Sequence, residues 1–134
     1  MRWSDPERYL DLGRAAVCEV FDAALRFWRR TDSRCGGALI LAARDLEPGA
    51  GWGVLEHAGR PKAPWFVLRR IWAPVAVLIG DDGLDGVRLD AFNDTADPVD
   101  AVLEVAAHTR SGVIAQQRTR SVRLEPHSSF TMSF

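Results

Sequence analysis

Apolar positions along the chain keep a helical period at first, merge into one continuous run, and end in alternation. Val17, Phe21, Ala24, Leu25 and Trp28 recur at three and four residues, which stacks them on one face of a helix. Ser4-Asp5-Pro6-Glu7 ahead of them fits a capping box, with Ser4 accepting from the Glu7 N–H and Glu7 reaching back. Pro is tolerated in a first turn, where its missing N–H has no intrahelical partner. Gly13 and Arg14 follow Leu10 at three and four residues, so the stripe is imperfect at its start. Arg26, Arg29, Arg30 and Arg34 gather where cations suit the helix dipole, and they read as a solvated last turn.

Gly36-Gly37 then breaks the chain. Ala38-Leu39-Ile40-Leu41-Ala42 is uninterrupted in its apolarity, the pattern of a strand covered on both faces as in a parallel sheet. A Gly- and Pro-rich loop runs from Arg44 to Gly59, and a second helical pattern with Trp65, Phe66, Ile71 and Trp72 stops at Ala73-Pro74. Helix, glycine turn, buried strand, long loop and helix make one and a half units of a β/α barrel, whose loops after strands lie on the face that carries chemistry.

Beyond Pro74 the period becomes two. Val75 to Ile79 reads as a strand, and Asp81-Asp82-Gly83 as a turn. Val87, Leu89 and Ala91 alternate with Arg88, Asp90 and Phe92, which predicts one buried face. After Asn93-Asp94-Thr95 come strands at Ala101 to His108, Val113 to Leu124 and Phe130 to Phe134. The spacing indicates an immunoglobulin-like sandwich, with about five strands where seven are usual. The predicted class is α+β. Residues 1–73 form a helix–strand–helix remnant of a (β/α)8 barrel, and residues 74–134 an antiparallel, incomplete immunoglobulin-like β-sandwich.

Composition changes this picture little. The 134 residues are 47% hydrophobic, ordinary for a globular chain. A net charge of −1 gives no electrostatic case for nucleic acid or an acidic membrane surface. Lys62 is the one lysine among 17 basic residues, a bias that fits a GC-rich genome better than phosphate recognition. Cys18 and Cys35 do not make a disulfide framework. The longest apolar stretch, Ala38 to Ala43, is too short to span a bilayer. The first ten residues carry acids and Pro where a signal peptide needs an apolar core, so the default expectation is cytoplasmic.

Candidate chemistry is sparse. Asp45 and Glu47, two residues apart on the loop, are the best local acids, and they read as loop-organising acceptors before they read as a catalytic pair. Arg60 and Lys62 could pair with such acids and fix the loop. Trp52 allows two readings, core or a platform that stacks on a sugar ring; Trp65 and Trp72 read as core cementing helix to sandwich. His57, His108 and His127 lack metal-ligand spacing, and no metal or cofactor is expected. Ser128-Ser129 has no partnered base.

The run CGGALILAARDLEPGAGWGVLEHAGRPKAPWFVLRRIWAPV resembles the end of the catalytic barrel in β-mannosidases of glycoside hydrolase family 2. That family has a last barrel strand reading G-A-L-x-W-Q-x-N-D, then a W-P pair, a Trp-containing loop, a G-R-x-K-A helix start and R-R-x-x-A-P-V. Gly37, Ala38, Leu39, Asp45, Pro48, Trp52, Gly59, Arg60, Lys62, Ala63, Arg69, Arg70, Ala73, Pro74 and Val75 stand at those positions. FNDTADPVDAVLEV is similar to the family's immunoglobulin-like domain, where a V-N-D-T turn precedes a strand. The departures are Leu41 for the strand-end Trp that helps line the sugar pocket, Ala42 for Gln, Arg44 for Asn and Glu47 for the Trp before Pro.

The resemblance implies a retaining glycosidase, which needs two carboxyl groups about 5 to 5.5 Å apart. In the family these come from earlier barrel strands, and a whole barrel takes about 250 residues. Two expectations from different classes follow. The first is a C-terminal, non-catalytic portion of a β-mannosidase-like hydrolase, with the remainder of the barrel as partner and Trp52, Asp45, Glu47 and Leu41 nearest to substrate. The second is a free-standing module that holds a carbohydrate or protein through Trp52 or an open sheet edge. The apolar strand ending the chain lacks the charge or Pro that protects edges, and predicts self-association.

Overall fold

The computed structural model describes residues 2–133, so Phe134 of the expected last strand lies outside the described residues. Two helices, α1 (Pro6–Arg29) and α2 (Ala63–Ile71), precede β1 (Val75–Asp81), β2 (Val87–Asn93), β3 (Val99–His108), β4 (Ile114–Leu124) and β5 (Ser128–Ser133). The strands form two antiparallel sheets, one ordered β1-β2-β5 and the other β3-β4. The class is α+β, and the paired antiparallel sheets agree with a β-sandwich.

The first helix starts one residue later than the capping pattern predicts. Asp5, rather than Ser4, accepts from the Arg8 N–H at 3.0 Å, since Pro6 occupies the first turn and sets Asp5 outside it. Only the C-terminal half of α1 finds a core. Leu25 is buried with Val67, Leu68 and Ile71 of α2, while Tyr9, Leu10, Leu12 and Val17 stay exposed. Trp28, Trp65 and Trp72 keep 43%, 38% and 44% of their surface in solvent, so the aliphatic side chains between them make the core instead.

The strand expected at Ala38–Ala42 is not one. The segment joins no sheet among the described residues, because a strand of parallel type exists only where neighbours supply its ladder. Ala38 and Ile40 pack on the helical core, whereas Leu39 is fully exposed and Leu41 is 85% exposed.

The central strand β2 is buried on both faces, not on one. Register places Phe92 beside Ala76, and these two with Leu78 face the helices. Ala91 faces the other way, into a second core with Leu103, Val122 and Leu124, flanked by Phe130. The guanidinium of Arg120 lies 4.8 Å from the Phe130 ring centroid and covers its rim.

The arginines ending α1 are structural ties rather than a solvated turn. Arg29 donates to the carbonyls of Ile71 and Ala73 where α2 ends, pairs with Asp94 at 2.6 Å, and lies 4.5 Å from the Phe92 ring centroid. The exposed Asp94 pair is worth at most about 1 kcal/mol, and charged bonds to otherwise unpaired carbonyls about 1.5 to 3. The carbonyls therefore dominate. Arg30 reaches Asp82 at 3.1 Å, and Arg88 bonds Asp90 at 2.9 Å and Thr31 at 2.9 Å.

Asn93 is completely buried. Its amide donates to Asp97, Leu124 and Glu125 carbonyls at 2.8, 3.2 and 3.1 Å, and its oxygen accepts from the Thr95 N–H and hydroxyl at 3.0 and 2.6 Å. It ties the end of β2 to the start of β3 and the end of β4, joining both sheets. Asn93→Ala strands three carbonyls, and we expect a loss of about 3 kcal/mol. A thermal melt should fall by roughly 10 °C. A melt within about 2 °C of the parent would remove Asn93 from this role.

Candidate functional site

The loop between the Ala38–Ala42 segment and α2 is rich in Gly and Pro but is not slack. The Asp45 N–H donates to Leu55 O and the Leu55 N–H to Ala43 O, both at 3.0 Å. Leu55 also bridges to Pro61, and the Lys62 N–H donates to Val54 O at 2.9 Å. The Glu56 N–H reaches Arg60 O at 2.9 Å and Gly59 closes the turn onto Glu56 O at 2.8 Å, while the Arg60 and Glu56 side chains form an ion pair.

Asp45 sits at the centre of this crossing, 7% exposed. Its Oδ1 accepts from the Gly53 N–H at 2.7 Å. Its Oδ2 makes no hydrogen bond of good geometry and is neutralised by the ammonium of Lys62, which ion-pairs with it and also donates to Gly51 O at 3.1 Å. The loop strand crosses so close to the carboxylate that side chains are excluded. A Cβ on Gly53 would stand 2.5 Å from the Asp45 nitrogen, and one on Gly51 would collide with the Asp45 carboxylate. Between these glycines Trp52 points outward, 87% exposed.

The strip Gly49–Gly53 is a wall shared by two cavities. One is a cup of about 380 Å³ with Arg44 and Glu47. The other is a groove of about 970 Å³, lined by Tyr9, Leu10, Val17 and Phe21 of α1 and by Leu41 and Pro61. Trp52 lines both. The structure thus brings Asp45, Lys62 and Trp52 together, and places Glu47 in the lining of the cup and Leu41 in that of the groove. Arg60 stands apart with Glu56. Asp45 and Glu47 do not share a hydrogen bond among the described residues.

Elsewhere the chemistry is thin. Among the described residues no group of three His, Cys, Asp or Glu could hold a metal ion. Ser128 donates to Glu125 O at 2.6 Å and closes a turn, and Cys35 donates to Gly37 O at 3.2 Å. No helix of the described residues is long and apolar enough to cross a membrane. Sequence reasoning passed over Gly51 and Gly53, although a Trp flanked by glycines is a legible sign that backbone approaches something closely. It also passed over Tyr9 and Leu10, whose contribution depends on how α1 leans across the loop.

The Lys62 ammonium holds the Asp45 carboxyl below its ordinary value of 3.8; burial opposes this, while the Gly53 N–H and the nearby His57 lower it further. A carboxyl lowered by folding contributes stability that is present above its unfolded value and lost as pH falls through the folded one. The stability gap between the parent chain and Asp45→Asn, measured by urea unfolding, should hold constant from pH 7 to about 5 and shrink below about 4. A gap that grows on acidification would contradict the pairing.

No protein-family model matches the sequence. Against characterised proteins, 77 residues covering 55% of the chain are 32% identical to β-mannosidase B of Aspergillus niger and 31% identical to β-mannosidase B of Aspergillus terreus. The enzyme of the same name from Emericella nidulans is 30% identical over the same length. The match spans 9% of each of these relatives.

Proposed function

We propose that this chain is a non-catalytic, supporting portion of a β-mannosidase-like glycoside hydrolase of family 2, a protein acting on β-linked sugars. The partial likeness to β-mannosidase B gives the enzyme class. The observation that carries the structural part is the Ala38–Ala42 segment. Its alternate residues Ala38 and Ile40 are packed while Leu39 and Leu41 are bare, and no sheet receives it among the described residues. Covering two leucines is worth about 2 kcal/mol each, in addition to the backbone bonds that flanking strands would supply. The remaining strands of a barrel have that form, and they are the partner proposed here. Residues 1–73 would then belong to the barrel, and residues 74–134 to the immunoglobulin-like sandwich that follows it.

In this reading the acid/base and nucleophile stand on other strands, and this chain contributes the loop with Trp52 to the sugar-facing side. The exposure of Trp52 also favours a second reading, a free-standing module that holds a carbohydrate or a protein. An immunoblot of source cells separates the two. A band above about 50 kDa, room for a barrel of about 250 residues and flanking domains, supports the first. A band near 14.8 kDa supports the second.

Two outcomes are expected of the purified chain. It should release no nitrophenol from p-nitrophenyl β-mannoside, and turnover above the buffer rate would overturn the non-catalytic assignment. It should also self-associate with rising concentration, through the bare Leu39–Leu41 face or the open edge of β5. Light scattering that reports a monomer throughout would count against that surface being sticky.

A further inference from the structure

The loop commits unusual resources to one exposed side chain. A buried carboxylate, the chain's one lysine and two glycines that tolerate no Cβ converge beneath Trp52, and the indole is left in solvent. A loop tip that needed only stability would be held as well by apolar packing, since desolvating an ion pair cancels most of its attraction. What a buried, directional pair supplies is a defined geometry. We infer that Asp45 and Lys62 are positioning residues whose pair sets the wall Gly49–Gly53 and holds Trp52 ready to stack on the apolar face of a pyranose ring.

The chemistry of the two cavities fits that ligand. A pyranose has a C–H face and a rim of hydroxyls. Trp52 offers an extended π-face to the first. Arg44 and Glu47, which line the same cup, offer a donor set and an acceptor set to the second. A site of few polar groups around one apolar platform is the usual form of a small-ligand pocket. The groove that shares the wall is apolar along Leu10, Val17, Leu41 and Phe21, and suits packing rather than hydroxyls. The position of the wall therefore apportions space between a sugar-facing cup and a packed groove. Lys62 acts on that position twice, once through Asp45 and once through Gly51 O.

The inference takes its ligand class from the glycosidase reading, and the test separates the two. The full chain, labelled with 5-fluorotryptophan, gives one fluorine resonance for each of its five tryptophans, and Trp52→Phe assigns the relevant line. Asp45→Asn and Lys62→Met should shift and broaden the Trp52 line without sugar, while the other four stay in place and report an intact fold. Lys62→Arg, which keeps a cation, should restore part of the parent line. Methyl β-mannopyranoside should shift the Trp52 line of the parent, and Lys62→Met should need about tenfold more of it. A Trp52 line unmoved by all three variants overturns the positioning role, whatever the sugar does. A line that responds to the variants but never to sugar in the parent overturns the sugar reading, and with it the purpose assigned to the pair. Should Asp45→Asn displace all five lines through unfolding, Lys62→Met and Lys62→Arg alone decide the matter by the same criteria.

Discussion

The structure depends on how the chain satisfies polar groups where β2 ends. Phe92, Asn93, Asp94 and Thr95 occupy the point at which helices, first sheet and second sheet meet. Burying an amide there is costly unless every donor and acceptor is used. Asn93 uses both of its N–H groups and its oxygen, against the carbonyls, N–H and hydroxyl of two separate stretches, Thr95–Asp97 and Leu124–Glu125. No apolar residue of similar size could specify that meeting point, because packing alone does not fix register. Arg29 completes the joint from the helical side, since the carbonyls it caps belong to the end of α2 and the ring it covers belongs to β2. The two cores are thus held at a set orientation by a few directional bonds rather than by one continuous apolar interior.

Much of the fold was legible in the sequence. The helix at Pro6–Arg29, the helix ahead of Ala73-Pro74 and the order of the strands follow from periodicity and turn residues, because these properties are local. Where local pattern met non-local circumstance, the reading departed from the structure. The apolar run at Ala38–Ala42 records what the segment would pair with, but a strand also needs neighbours, and none is present among the described residues. Alternation in β2 predicted one buried face. It missed that Phe92, on the face expected to be open, meets the helices, a fact fixed by how the two lobes pack. Trp65 and Trp72 read from the sequence as core cementing helix to sandwich, yet α2 turns Val67, Leu68 and Ile71 inward instead.

The candidate site was legible in its members but not in its logic. Acids and bases on one loop suggest mutual pairing, and Asp45 with Lys62 and Glu56 with Arg60 are the pairs that form. The sequence does not say which pair is buried. Burial follows from the crossing of Gly51–Gly53 over Asp45, which needs the backbone bonds between Ala43, Leu55 and Pro61 to bring distant positions together. Glu56–Arg60 lies outside that crossing and stays in solvent, where screening leaves it little influence.

Because Lys62 is the sole lysine, its ammonium is the one side-chain amine that acylating reagents can address. Its reactivity is therefore a reporter built into the molecule. An amine held against a buried carboxylate and the Gly51 carbonyl is sterically shielded, so it acylates slowly; released, it behaves as any solvated lysine. Mass spectrometry of a briefly acetylated sample would count the fraction of molecules with the pair open, with no mutation and no probe. The Lys62–Ala63 bond is likewise the one internal cleavage site for a lysine-directed protease, and it lies between the loop and α2. Cutting there would leave α1 and the loop joined to α2 and the sandwich only by non-covalent ties such as those of Arg29, converting a question about orientation into one about dissociation.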